Sequence, residues 1–321
     1  MRRLFANANY DFINKRRKAY VLSAAAILIS IAAGAFWQVS EGAWFNYGVD
    51  FTGGSSIRIS TTTDVDVGLV RSVATAAVPG ASVTTFGDAN EFLIRTPGTE
   101  SDVATEASRA LLAALRAELG GENVQLESEE SVGAKVGAEL QSRAMLAILI
   151  SFAATLIYLA FRFEWRFGVA AVIATLHDII LTLGLISILR LEVSLTTVAA
   201  VLTILGYSLN DTIVIFDRIR ENLLGAKRAD FIAVLNRSIN DTLPRTVLTT
   251  GTTLVTLLAL YLFGGVIIRD FALIMIVGIV LGTYSSIFVA SPALVEIEKR
   301  FPHEQKKPRR TRSPVAKPSR V

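Results

Sequence analysis

The chain has 321 residues, 52% of them hydrophobic and 19% charged, which is too few charges to cover a water-soluble domain of that size. It contains no Cys and 2 His, which excludes disulfide frameworks, thiolate metal sites, cysteine nucleophiles and imidazole clusters. The formal net charge of +4 conceals an uneven distribution along the sequence.

About 20 apolar residues are needed to cross a bilayer as a helix, and six stretches qualify. The first, Ala19 to Trp37, follows Lys15-Arg16-Arg17-Lys18; its 19 uncharged residues exceed the apolar core of a signal peptide, so it reads as an uncleaved span. A large extramembrane piece, residues 39–143, comes next, with 7 basic and 15 acidic residues and a net charge of −8. Within it, Ser56 to Ser60 alternates as a strand, Asp64 to Val78 has helical spacing, and Pro79-Gly80 marks a turn. Strands follow at Ser82 to Phe86 and, after Gly87-Asp88, at Glu91 to Thr96. Beyond a break at Pro97-Gly98, a helix capped by Ser101 runs from Asp102 to Leu119, and a last strand lies at Asn123 to Glu127. The order is βαββαβ, the ferredoxin-like arrangement. The glycines of Phe51-Thr52-Gly53-Gly54 fit a tight turn before a strand better than an anion nest, since no basic residue follows closely.

Five more spans follow. Ala144 to Phe161, Thr246 to Ile268 and Phe271 to Val295 carry no charge; Phe167 to Leu189 is interrupted by His177 and Asp178, and Val193 to Phe216 by Asp211. Basic residues flanking spans stay in the cytoplasm. With the N-terminus inside, residues 1–18, 162–166, 217–245 and 296–321 hold 23 of the 32 Lys and Arg. The expected organisation is therefore a cytoplasmic segment 1–18, a first span 19–38, an extracytoplasmic domain 39–143, five spans within 144–295 with a cytoplasmic loop at 217–245, and a basic cytoplasmic tail 296–321. The fold class is a polytopic α-helical membrane protein with six transmembrane helices and an extracytoplasmic α+β ferredoxin-like domain.

A carboxylate within a span costs about 2.5–3.5 kcal/mol on insertion scales, so Asp211 is a functional candidate. Its expected partner is Arg245, read as lying after Pro244 at the start of the fifth span, behind a capping-type run Asn240-Asp241-Thr242. Burial and a neighbouring guanidinium act oppositely on a carboxyl group, so a movable arginine or entering water makes such a pair a proton relay; a static buried ion pair would leave the same sequence pattern. His177 and Asp178, with Asn210 as a further amide, form a second polar cluster, either titrating or holding helices together. Gly278, Gly282, Ser286 and Ala290 recur every fourth residue, a small-residue face for packing within the chain or against a subunit. Thr246, Thr249, Thr250, Thr252, Thr253 and Thr256 give the fifth span a hydroxyl-rich surface. No GxxxxGK[ST] occurs, which disfavours ATP as direct fuel, and nothing calls for a cofactor, a metal, nucleic acid or enzymatic catalysis.

Four motifs in order carry a family resemblance: Tyr47-Gly48-Val49-Asp50-Phe51-Thr52-Gly53-Gly54; His177-Asp178; Gly206 to Asn222, centred on Asn210-Asp211-Thr212; and Asn240-Asp241-Thr242-Leu243-Pro244-Arg245-Thr246. Together they resemble the SecD/SecF family of protein-export membrane proteins, over residues 1 to about 295. The resemblance implies one half of a proton-driven exporter of the resistance-nodulation-division superfamily, in the bacterial inner membrane, with SecD supplying the other six spans. It further implies that the proton gradient helps preproteins complete their exit from the SecYEG channel, with Asp211 and Arg245 in the proton path beside a carboxylate from SecD. The tail after Val295 matches none of these motifs and reads as disordered, with attraction to the anionic surface of the lipid bilayer. A non-conducting scaffold of an export complex is the competing reading; a small-molecule exporter fits less well, because a single six-span half leaves little room for a drug-sized pocket.

Overall fold

The computed structural model describes residues 8–85, 90–97, 101–225 and 230–302, without the side chains of 101–105 and 266–267. The expected features at Phe86, Gly87-Asp88 and Gly98, the capping side chain of Ser101, residues 1–7 and the tail from 303 onward lie outside the described residues.

A 3-10 turn at Ile13–Lys15 leads into α1 (Arg16–Glu41). The residues before it are pinned: Tyr10 N donates to Asn240 Oδ1 (2.9 Å), Asn240 Nδ2 donates back to Tyr10 O (2.8 Å), and Phe12 and Ile13 N donate to Asn236 Oδ1. After α1 come β1 (Asn46–Tyr47), α2 (Val49–Thr52), β2 (Gly54–Thr61), α3 (Val67–Ala77), β3 (Ser82–Thr85), β4 (Glu91–Thr96), α4 (Ser101–Leu119) and β5 (Val124–Val132). The four-stranded sheet has the order β3-β4-β2-β5 with every neighbouring pair antiparallel, the ferredoxin-like topology. Ile57 and Ile59 of β2, Phe92 and Ile94 of β4, and Val83 of β3 alternate toward the helices, where Val70 and Ala74 of α3 and Leu111 and Leu115 of α4 close a dry core.

β5 runs five residues past its expected end at Glu127, pairing with β2 from Thr61↔Val124 to Gly54↔Val132 across an irregularity at Arg58/Ile59. It is an edge strand exposed over most of its length, so Glu127, Glu129 and Glu130 give it no apolar alternation to betray it. Gly53 and Gly54 take φ of 73° and 112°, the turn geometry expected. They also do more: a Cβ on Gly53 would fall 2.6 Å from Ala134 Cα, so the turn seats the first helical residues after β5.

Those residues begin α5 (Ala134–Arg162), followed by α6 (Trp165–Ile188), β6 (Glu192–Val193), α7 (Leu195–Gly225), α8 (Phe231–Phe263) and α9 (Gly265–Ser285). A π-helical segment, Ser286–Ala290, joins α9 to α10 (Ser291–Arg300). β6 pairs in parallel with β1. All six expected spans are present, each longer than its apolar stretch. The stretch 217–245, expected to be a loop, is helix over its described residues apart from Asp230, because α7 and α8 continue past the apolar boundary. Ion pairs hold these extensions, Arg162–Asp217 (2.5 Å) and Arg218–Asp241 (2.8 Å), and Arg166–Glu298 (3.0 Å) and Arg16–Glu296 (3.2 Å) fasten α10 to α6 and α1.

Pro244 accordingly sits inside α8 and not at its first position, and the cap is Asp230, accepting from Ile232 N. Of the presumed capping run, Asn240 bonds Tyr10, Asp241 pairs with Arg218, and Thr242 Oγ1 donates to Ser238 O. Proline removes the donor that would have bonded the Asn240 carbonyl, yet tertiary contacts carry the helix through.

The spans form two tiers. Within their most apolar windows α6, α7 and the α9–α10 span are 56%, 50% and 56% buried, whereas α1, α5 and α8 are 22%, 6% and 17% buried. Leu28 and Ile29 on α1, Leu149 and Ile150 on α5, and Val255 and Leu262 on α8 point outward, as lipid contact requires. The α7–α9 contact is close because Gly278 and Gly282 present no side chain: a Cβ at Gly278 would run into Ile204, and one at Gly282 would lie 2.9 Å from Ser208 Cβ and 3.0 Å from Ser208 Cα. Ser286 continues that face with its hydroxyl donating to Gly282 O (2.8 Å). Gly282→Leu is expected to lower stability by about 1–3 kcal/mol through overpacking against α7, measured by thermal unfolding in detergent; an unchanged midpoint would show that the two helices separate freely.

Candidate functional site

Two acidic residues are buried in the inner tier, and their surroundings differ. Asp178 on α6 is 1% exposed. Its Oδ2 accepts from Ser208 Oγ on α7 (2.5 Å) and Ser285 Oγ on α9 (2.6 Å), while Oδ1 lies 2.9 Å from His177 Nδ1. The other ring nitrogen, His177 Nε2, is 3.0 Å from Ser23 Oγ on α1. Ser23 Oγ lies 3.3 Å from Tyr284 OH, which donates to Ala19 O at 3.1 Å. The chain of contacts ties four helices together through one carboxylate and one imidazole. An ionised Asp178 only accepts, and in that state the ring donates to it from Nδ1.

Asp211 lies one turn further along α7 from Ser208 and is 5% exposed. Thr283 Oγ1 on α9 donates to its Oδ2 at 3.3 Å, and Thr283 Oγ1 is 3.0 Å from Thr250 Oγ1 on α8. Tyr207, one turn back, places its hydroxyl 2.5 Å from Thr253 Oγ1. Asp211 is therefore met by the threonine hydroxyls of two neighbouring helices, Thr283 on α9 and Thr250 on α8.

Arg245 does not form the expected direct ion pair: among the described residues no salt bridge joins it to Asp211, although the guanidinium is close enough for a charge–charge interaction. The reason is rotational. Thr246 and Thr250 are the α8 residues turned inward, which leaves Arg245 exposed, on the same side of the helix as Thr249, Thr252 and Thr256. Asn210 likewise departs from the cluster assigned to it. It is exposed, because one residue along a helix is a turn of about 100°, and it stands away from His177 and Asp178.

Ser23, Ser208, Ser285, Thr250, Thr283 and Tyr284 complete the polar core. Ser208, three residues before Asp211, and Thr250, in the threonine run of the fifth span, carried a sequence signal; the rest are identified by contact across helices. Ser286, where the π-helical segment begins, meets Thr212 Oγ1 at 2.7 Å and receives Ser291 Oγ on its carbonyl (2.9 Å), which absorbs the extra residue of the wide turn. Asp178→Leu would strand Ser208 and His177 without their acceptor and is expected to cost about 1–3 kcal/mol, against about 0.6 kcal/mol for Ser23→Ala, both read from unfolding midpoints in detergent. Equal effects would show that Asp178 is not the hub.

The fold and this site define a class: a polytopic membrane protein with a polar core inside its inner spans and a ferredoxin-like domain attached outside the bundle. Two family models match the chain, "Protein export membrane protein SecD/SecF, C-terminal" over residues 112–300 and "SecD/SecF GG Motif" over residues 42–65. Protein translocase subunit SecF of Gemmatimonas aurantiaca is 46% identical over 309 residues, covering 94% of this chain and 91% of the relative; that of Rhodothermus marinus is 41% identical, covering 93% and 96%. The crystal structure of SecDF from Thermus thermophilus matches with a TM-score of 0.77 at 38% identity, over 92% of this chain and 39% of the SecDF chain. The chain belongs to the SecD/SecF family of protein-export membrane proteins.

Proposed function

We propose that the chain is a subunit of the Sec protein-export machinery that works with SecD, using the proton gradient to drive late steps of preprotein movement through SecYEG. The observation that carries this reading is Asp211, a carboxylate buried within a span whose hydrogen-bonding partners are two threonine hydroxyls, Thr283 at 3.3 Å and Thr250. An anchor carboxylate would be saturated with donors, as Asp178 is; one that must gain and lose a proton benefits from being loosely held. A charge crossing 100 mV is worth about 2.3 kcal/mol, enough to bias a movement of modest cost. The association with SecD draws support from the Thermus thermophilus SecDF, in which a region 40% identical to this chain occupies 39% of one longer polypeptide. It is supported also by α8, whose outward side carries Arg245 among threonines, a polar surface ill-suited to bare lipid and suited to a second set of spans.

Placement in the bacterial inner membrane, with both termini cytoplasmic and residues 39–143 outside, rests on the distribution of basic residues. A reporter fused after Gly121 is expected to read as extracytoplasmic and one fused after Gly225 as cytoplasmic; the reverse pattern overturns this orientation.

Asp211→Asn retains size and most hydrogen bonding but cannot release a proton. Export driven by the gradient in reconstituted vesicles is therefore expected to fail while the complex with SecD still assembles. Arg245→Lys, which keeps a positive charge, is expected to be milder than Arg245→Met. Normal gradient-driven export by the double variant Asp211→Asn, Arg245→Met would eliminate the relay.

A further inference from the structure

The Tyr47–Gly54 motif has no part in the polar core, yet its contacts converge on the helix that carries Asp211. β1 pairs with β6, the two residues just before α7, and Gly48 N donates to Val193 O at 2.9 Å. Asp50 Oδ2 accepts from Leu195 N at 2.8 Å, so a carboxylate from the outer domain caps the first residue of α7. Gly48 is bare because Glu192 lies against it: a Cβ there would run into the Glu192 carboxylate. Glu192 is in turn gripped from the four-stranded sheet, where Arg95 Nη2 on β4 donates to its Oε2 (2.5 Å) and Arg95 Nη1 donates to Asn46 Oδ1 (2.8 Å). The Glu192 carbonyl accepts from Thr197 Oγ1 in the first turn of α7 (2.7 Å).

Sequence-adjacent connections tie the outer domain only to α1 and α5, which lie largely on the outside of the bundle. The clasp at β6 is different because it reaches an inner helix. Ser194 alone separates β6 from α7, and Asp211 stands 16 residues along that helix from Leu195, about 24 Å at the helical rise of about 1.5 Å per residue. A helix does not stretch, so an axial shift or rotation at Asp211 arrives at Glu192 and Leu195 with no slack loop to absorb it. The clasp combines two paired residues on each of β1 and β6, a helix cap and an ion pair whose members are 20% and 23% exposed, with Phe45 and Val193 packed on the apolar cluster beneath. The directional hydrogen bonds among these contacts fix the geometry that apolar packing alone would leave free to slide.

We infer that Asp50, together with the Arg95–Glu192 pair, is the positioning element that couples the outer domain to α7, so that movement of α7 on protonation of Asp211 turns the domain. This rests on the reading of Asp211 as the proton carrier.

The absence of cysteine makes the test clean, because spin labels can be placed on Cys introduced at Thr75 of α3 and Phe263 at the end of α8, both exposed. In the complex with SecD, Asp211→Asn is expected to shift the distance between the labels. The shift is expected to vanish when Asp50→Ala and Arg95→Ala are added and to persist with Asp50→Asn, whose amide oxygen still accepts from Leu195 N. Gradient-driven export is expected to fall about fivefold in Asp50→Ala, the scale set by losing one helix cap, at unchanged complex yield, and to stay within about twofold in Asp50→Asn. A plain anchor predicts export falling only in proportion to yield, and that result overturns the inference. So does a label distance indifferent to Asp211→Asn, or one that still shifts in the doubly substituted clasp. If Asp50→Ala does not assemble, Arg95→Ala alone, which leaves α7 capped, takes its place with the same expectations. Export surviving Asp211→Asn would instead overturn the proton reading, whatever the clasp variants do.

Discussion

Hydrocarbon offers no water to a polar atom, so every hydroxyl, amide and carboxylate within the spans needs a protein partner. The inner tier is organised by that requirement. Asp178 draws donors from α6, α7 and α9, and its histidine neighbour reaches α1, so the four helices that cross at this depth have their relative positions fixed by one network. Close approach of the backbones is the second half of the same solution. Gly278 and Gly282 let α9 lie against α7, which brings the hydroxyls of Ser285, Ser286 and Thr283 within reach of their acceptors.

The two buried carboxylates then take on contrasting characters, although Ser208 bonds one and lies one helical turn from the other. Asp178 has three polar neighbours at 2.5–2.9 Å, a saturated arrangement that rigidifies its surroundings. Asp211 has two threonine hydroxyls, Thr283 at 3.3 Å and Thr250, and an arginine held off on the outer side of α8. A saturated carboxylate resists change, and a sparsely bonded one leaves room for a proton or a water. The division places a densely bonded carboxylate beside a more sparsely bonded one on neighbouring helices. The π-helical segment at Ser286–Ala290 opens the α9 backbone near the same level.

At the two ends of the bundle the contacts are ionic. One end, where Arg16, Arg162, Arg166 and Arg218 meet Glu296, Asp217, Glu298 and Asp241, ties the N-terminal segment and the extensions of α7, α8 and α10 into a collar. At the other end Arg95 and Glu192 join the sheet to β6, and Arg58 of β2 lies in the field of Glu130, Glu91, Glu192 and Asp270, where burial pulls its pKa below the usual guanidinium value. Charged residues were affordable there because water and the polar headgroup region begin where the apolar windows stop.

Hydropathy and periodicity alone determined much of this. Uncharged runs of bilayer length yield six spans, period-2 alternation in β2 and β4 yields the sheet, and a carboxylate inside an apolar run singles out Asp211, because each of these signals is carried along one stretch of chain. What the sequence misread or left open depends on rotation and on partners distant in the chain. Serine and threonine are nearly neutral in hydropathy, so Ser23, Ser285 and Thr283 gave no hint that they bond a histidine or a carboxylate on another helix. Pro244 and Asn240 looked like a helix start, and the N-terminal segment that fixes Asn240 lies 230 residues away. The face on which Arg245 projects follows from which α8 residues are turned inward, and the role of Asp50 from where the outer domain rests. Those choices were made only when the helices packed, since which side of a helix meets a neighbour is settled by contacts that no single segment contains.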